Sequence, residues 1–230
     1  MHFEIELDGI IIKVIKKPIK NMYLRVHPPH GRISVSAPLT WSSTDIQHQL
    51  QTKMVWLKAQ QEKSRFVSGP AIKQMESGEQ HHLLGQAYTL TLIESEEKSK
   101  LTIENNLLLL QTKPKATMVE KKALLKKWYL GEMQQIVPDL IEKWQSVIGV
   151  HVKEWGAKTM KSRWGSCNIN RQRIWLNLSL IEKPIGCLEC VLVHEMVHLL
   201  ESAHNARFYA FMDRFMPTWR IHQKALYEPN

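Results

Sequence analysis

The 230-residue chain is 43% hydrophobic and 23% charged. It is long enough to bury one large core or two small ones, which excludes a wholly disordered chain. Its formal charge of +9, from 31 Lys+Arg against 22 Asp+Glu, points to an acidic partner such as nucleic acid, a nucleotide or an anionic surface, without choosing among them.

From the amino terminus, residues 4–8 alternate acidic and apolar. This differs from the basic stretch and apolar core of a signal peptide. No run approaches the roughly 18 apolar residues of a membrane span. The three cysteines, Cys167, Cys187 and Cys190, are an odd count that argues against a disulfide scaffold, so the expected location is the cytoplasm. Residues 4–8, 10–15, 23–26 and 32–36 read as strands, the last two flanking the turn-prone Pro28-Pro29-His30-Gly31. Ser42 to Asp45 forms a capping box before Ile46, Leu50, Met54 and Leu57, whose spacing predicts one helix ending before Ser68. Strand character returns at 88–93, 100–103 and 107–110. No internal repeat is visible.

The pattern changes at residue 116, where Thr117 and Glu120 form a second capping box ahead of a long helical run. A boundary here divides a β-rich amino-terminal domain, 1–116, from a second domain, 117–230. The charge is shared between these parts, at +4 and +5. Pro138 is expected to kink or restart the helix, which ends at Gly149. Strands are expected over 152–160 and 174–180, and helices from Cys187 onward with breaks near Ser202 and Pro217.

Residues 194–198 read His-Glu-Met-Val-His. On a helix, positions four apart share a face, so His194 and His198 can converge on one metal ion. Glu195 can then reach a water held there and act as general base in hydrolysis. A catalytic zinc needs a third protein ligand, and His204, six residues on, is the first candidate. Glu201, on the same helical face as His194, is its rival. Chance alone would supply about 0.04 matches to the five-residue pattern in a chain of this composition. Val193, Met196, Val197 and Leu200 form an apolar stripe that buries the other side of the helix. Cys187 and Cys190 have metal-like spacing but no second pair, and packing explains them better. Cys167 lies in a loop that could approach the metal. His27, His30, His81 and His82 read as surface residues, and the eight tryptophans as core residues.

These motifs carry a resemblance. Met160-Lys161-Ser162-Arg163-Trp164-Gly165-Ser166-Cys167, then Ile174-Trp175-Leu176-Asn177-Leu178, residues 193–199, and His204 with Phe208, Phe211, Met216, Pro217 and Trp219 occur in the order of the YgjP-like family of zinc metallopeptidases. That family is related to SprT-like and broader zincin proteins. The likeness extends more loosely to residues 31–38, Trp56 and residues 84–90. It implies an α+β fold in which a small sheet lies against the metal-bearing helix, with Zn2+ held by His194, His198 and His204 and with Glu195 as catalytic base. Arg163 and Asn177, members of the matching blocks, are candidate substrate or oxyanion contacts. Residues 173–178 are the candidate for a strand beside the site, where zincins pair an extended peptide. Gly is usual in the metzincin motif where this chain has Glu201, which argues against that subgroup.

The leading function is therefore a zinc-dependent hydrolase acting on polypeptide. Two alternatives are a metal-dependent nucleoside-triphosphate pyrophosphatase, which would suit the basic charge, and a nucleic-acid-binding protein with a structural metal.

Overall fold

The computed structural model describes residues 2–27, 32–66 and 73–228. Its architecture is α+β, with three small mixed sheets and six α-helices among these residues. The chain forms two compact units, residues 1–73 and 74–230. The first carries 11 Lys+Arg against 5 Asp+Glu, net +6, and the second 20 against 17, net +3. The basic surplus is thus concentrated in the smaller unit.

In the first unit, β1 (His2–Leu7), β2 (Ile10–Lys17), β3 (Tyr23–His27) and β4 (Arg32–Pro38) form a sheet in the order β1-β2-β4-β3. The central pair β2/β4 is parallel and the outer pairs antiparallel. Asp8 and Gly9 both have positive φ, the geometry of a two-residue hairpin turn whose twist suits its strands. Alternation along β2 and β4 points Ile12, Val14, Ile33 and Val35 into a core completed by Ile46, Leu50 and Leu57. The predicted single helix is two, α1 (Ser43–Gln51) and α2 (Met54–Phe66). Between them the Thr52 hydroxyl donates to the Gln49 carbonyl at 2.9 Å, a local bond that competes with helix continuation. The Ser42/Asp45 capping box is formed. The 28–31 turn and the end expected before Ser68 lie outside the described residues.

The second unit begins with a sheet of the same topology. β5 (Gln80–Leu83), β6 (Gln86–Glu94), β7 (Lys100–Glu104) and β8 (Leu107–Thr112) lie in the order β5-β6-β8-β7, again with a parallel central pair. Leu84 and Gly85 repeat the positive-φ turn. Each sheet is followed by a capped helix. A repeat absent from the sequence is therefore present in the strand order, because alternation and turn chemistry constrain residue classes more than identities. His81, expected at the surface, is buried, since alternation in β5 turns it inward beside Glu79, at 3.5 Å.

Helix α3 (Met118–Ile148) runs through Pro138 without interruption. Losing one backbone bond and accommodating the ring costs about 3 kcal/mol. Against this, Tyr129, Met133, Val137, Ile141, Trp144 and Ile148 are buried along one face, at roughly 1.5–3 kcal/mol each. Burial wins, and the helix continues past Pro138 without a restart. The change of pattern at residue 116 falls inside the second unit, between β8 and α3. Tyr129 Oη donates to the His82 carbonyl at 2.9 Å and fastens α3 to the sheet.

The third sheet contains β9 (Glu154–Lys158), β10 (Gly165–Asn168) and β11 (Arg173–Asn177), ordered β10-β11-β9. The expected strand over 174–180 stops at Asn177, whose side chain caps a 3-10 helix, Leu178–Glu182. Ile174 and Leu176 join the core of α4 (Ile185–Val197), onto which α5 (Ala206–Phe215) and α6 (Trp219–Ala225) pack. Among the described residues no helix is long and apolar enough to cross a membrane.

Candidate metal centre

Helix α4 is apolar on nearly every side, with nine of its residues buried, so it is a core helix. Its last turn carries His194 and Glu195, and His198 is its C-cap. The chain then turns sharply. Leu200 and Glu201 N–H groups donate to the Val197 carbonyl, Ala203 N–H donates to Glu201 Oε1 at 3.2 Å, and Asn205 caps α5 by accepting from Phe208 N–H. This turn brings His204 back over the helix end.

One ring nitrogen from each of His194, His198 and His204 lies within 4.8 Å of the others. A tetrahedral zinc with nitrogen ligands at 2.0–2.1 Å needs them about 3.4 Å apart, so small side-chain rotations suffice. His194 Nε2 and His204 Nε2 face each other at 2.9 Å, a hydrogen-bond distance at which one ring's N–H points at the other's lone pair. His198 Nδ1 lies 3.1 Å from the Glu201 carbonyl oxygen. A carbonyl only accepts, so Nδ1 carries the proton and Nε2 keeps its lone pair for a metal. Burial, then the neighbouring histidines, pull His194 down to about 4. Burial lowers His198 too, against the opposing Glu201 bond. Neutral imidazoles are the ligand form. The donor set fits zinc.

Phe208 is fully buried beneath the cluster, its ring centroid 4.7–4.8 Å from all three imidazoles. The sequence gives it no role beyond the family blocks, because its contact with the imidazoles depends on the turn that delivers His204 ahead of α5. Glu201 is absent from the cluster. Its carboxylate serves the turn, and Arg207 lies 3.9 Å away.

Glu195 is 6% exposed, and burial pushes its carboxyl up to about 8 against the opposing charge of Arg163. Gly165 of β10 lies against it, and a Cβ there would stand 2.6 Å from Glu195 Oε1. Arg163 is exposed in the preceding loop. Asn177 has a different occupation. Its amide donates to the Met160 and Arg163 carbonyls at 3.0 and 2.8 Å, and its oxygen accepts from Met160 and Ser179 N–H groups. That uses its whole hydrogen-bonding capacity, so Asn177 shapes the loop bearing Arg163 and has nothing left for an oxyanion.

The strand expected beside the site, 173–178, is central in its sheet, and β10 is the edge nearest Glu195. Asn177 N–H donates to the Trp164 carbonyl at 2.7 Å, and β10 and β11 are antiparallel with Gly165 opposite Leu176. Residues 164, 166 and 168 therefore bond inward, while Gly165 and Cys167 turn their backbone groups to the open edge. Burial and Glu195 raise the Cys167 thiol to about 11. The buried Cys187 and Cys190 thiols donate to the His222 and Trp219 carbonyls at 3.4 and 3.5 Å, joining α4 to α6 away from the imidazoles.

The sequence pattern of the YgjP-like family, described as a metallopeptidase domain, matches residues 20–228. No curated protein matches the chain. Among solved structures, the crystal structure of the metallopeptidase zymogen of Pyrococcus abyssi abylysin aligns with a TM-score of 0.37 and 18% identity, over 40% of this chain and 91% of that one. With nearly its whole length matched, the chain belongs to the YgjP-like metallopeptidase-domain family.

Proposed function

We propose that this protein is a zinc-dependent peptidase in which His194, His198 and His204 hold the ion and Glu195 is the general base. The convergence of three imidazoles beside the buried Glu195 carboxyl carries the reading. Zinc in such a site lowers the pKa of water and polarises a carbonyl. The chain's own residues supply the rest. Glu195 accepts a proton on its carboxylate and delivers it to the leaving amine. Gly165 leaves room for that carboxylate, and the Glu201 carbonyl holds the His198 tautomer. The open edge of β10 offers Gly165 and Cys167 backbone groups to an extended chain, which would align a peptide bond alongside Glu195. Arg163 supplies positive charge near the same carboxylate. Three free cysteines suit a reducing compartment, and we place the protein in the cytoplasm.

The test is a side-by-side assay of zinc-loaded protein on an unfolded polypeptide and on nucleoside triphosphates. Polypeptide cleavage with intact triphosphates is expected. Triphosphate hydrolysis with intact polypeptide would overturn the substrate assignment.

A further inference from the structure

Beside His194 and Glu195 lies a cavity of about 200 Å³. Trp164, Val191, Trp219, Gln223, Leu226 and Tyr227 line it with them, and no Lys, Arg or Asp is among the described residues of the wall. The volume exceeds the roughly 150 Å³ of an apolar cavity that takes up benzene.

The walls differ in how firmly they are held. Trp219 is buried, its Nε1–H donates to Asp213 at 2.7 Å, its ring stacks on Tyr209 at 5.8 Å, and its carbonyl accepts from Cys190. It is a fixed back wall. Tyr227 is 74% exposed and meets Trp164 edge-to-face at 6.4 Å, so these two rings form an aromatic mouth. The segment bearing Tyr227 is tied down by Lys183 Nζ, which donates to the Glu228 carbonyl at 2.6 Å. Gln223 is the one uncharged amide on the wall. An acidic side chain entering here would lose its water beside the Glu195 carboxyl, whereas an aromatic or large aliphatic one would exchange water for ring faces.

We infer that the cavity walled by Trp164, Trp219 and Tyr227 receives a large apolar side chain of the polypeptide, next to the bond hydrolysed. This rests on the peptidase reading. Side chains of that class are buried in folded proteins, so the substrates are unfolded or locally opened chains.

Two measurements test it. In the first, N-acetylphenylalaninamide is titrated into metal-free protein while the indole N–H resonance that Trp164→Phe removes is followed by NMR. A saturable shift is expected, weakened at least about fivefold by Tyr227→Ala, and N-acetylaspartamide should produce none. In the second, zinc-loaded protein cleaves peptides differing at one residue beside the scissile bond. Phe or Leu there should exceed Asp or Lys by about tenfold or more in kcat/KM. Tyr227→Ala should reduce that ratio mainly through KM. No indole shift, cleavage without apolar preference, or a preference unchanged by Tyr227→Ala overturns the inference and leaves the peptidase reading standing. No cleavage of any polypeptide overturns both.

Discussion

Glu195 and Gly165 occupy one another's space: a Cβ on residue 165 would stand 2.6 Å from Glu195 Oε1, 2.8 Å from its Cγ and 2.9 Å from Val191 Cγ1. The glycine is fixed by side-chain proximity across β10 and α4. Gly165→Ala should displace the carboxylate and lower hydrolysis by about a hundredfold or more, on the scale of losing a positioned acid–base group. Zinc content, read by atomic absorption, should stay at the wild-type level. Unchanged turnover would show that the contact does not constrain the base.

The turn delivering His204 depends on the Glu201 side chain, which accepts from Ala203 N–H. Glu201→Ala leaves the three imidazoles in place but loosens that turn. Zinc affinity, measured by competition with a chromogenic chelator, should fall about tenfold, the low end of what supporting groups contribute. Loss as complete as in His204→Ala would instead make Glu201 a ligand.

Phe208 holds the imidazoles from below and is fully buried. Phe208→Ala should destabilise the second unit by about 3–5 kcal/mol through the cavity it leaves. Phe208→Leu keeps much of the volume, and should cost less stability while still weakening zinc binding. Denaturant melts paired with chelator competition separate the two effects.

The thiols differ in access. Cys167 is half-buried, whereas Cys187 and Cys190 are buried and bonded to α6 carbonyls. Burial, with Cys187 adding to it, pushes Cys190 up to about 12. Native protein at pH 8 should react with a thiol reagent first at Cys167, and at the other two only on unfolding. Early modification of Cys187 or Cys190 would contradict their packing.

Glu79 gives the sheet β5–β8 an acid-sensitive anchor. Burial raises its carboxyl, but N–H groups of Gln74, Met75 and Glu76 outweigh that and hold it below 4.5. Stability from a depressed carboxyl is fully present above the unfolded value and is lost as pH falls through the folded one. Wild type should therefore lose stability below about pH 4.5 more steeply than Glu79→Gln. Equal slopes in acid denaturation would contradict this.

How much of this was legible in the sequence depended on how local the signal was. Both capping boxes, the period-two strands and the His194–His198 spacing are short-range patterns, and they appear in the structure where the sequence places them. Pro138 does not restart the helix, because propensity is local while the burial that overrides it is not. β10 reads as a turn because Gly165, Ser166 and Asn168 favour turns, and only pairing with β11 makes it a strand. Asn177 drew attention through its block, yet its partners, Met160 and Arg163, are set by tertiary contact. Tyr227 carried no signal at all, since its role depends on meeting Trp164 across the cavity.

The most direct test of the central claim pairs zinc content with polypeptide hydrolysis in Glu195→Gln. Glutamine keeps the size of the side chain and removes its capacity as a base. The prediction is one zinc per chain, as in wild type, with hydrolysis reduced by about a thousandfold. Hydrolysis at the wild-type rate with zinc still bound would contradict the role of Glu195, and with it the proposed mechanism.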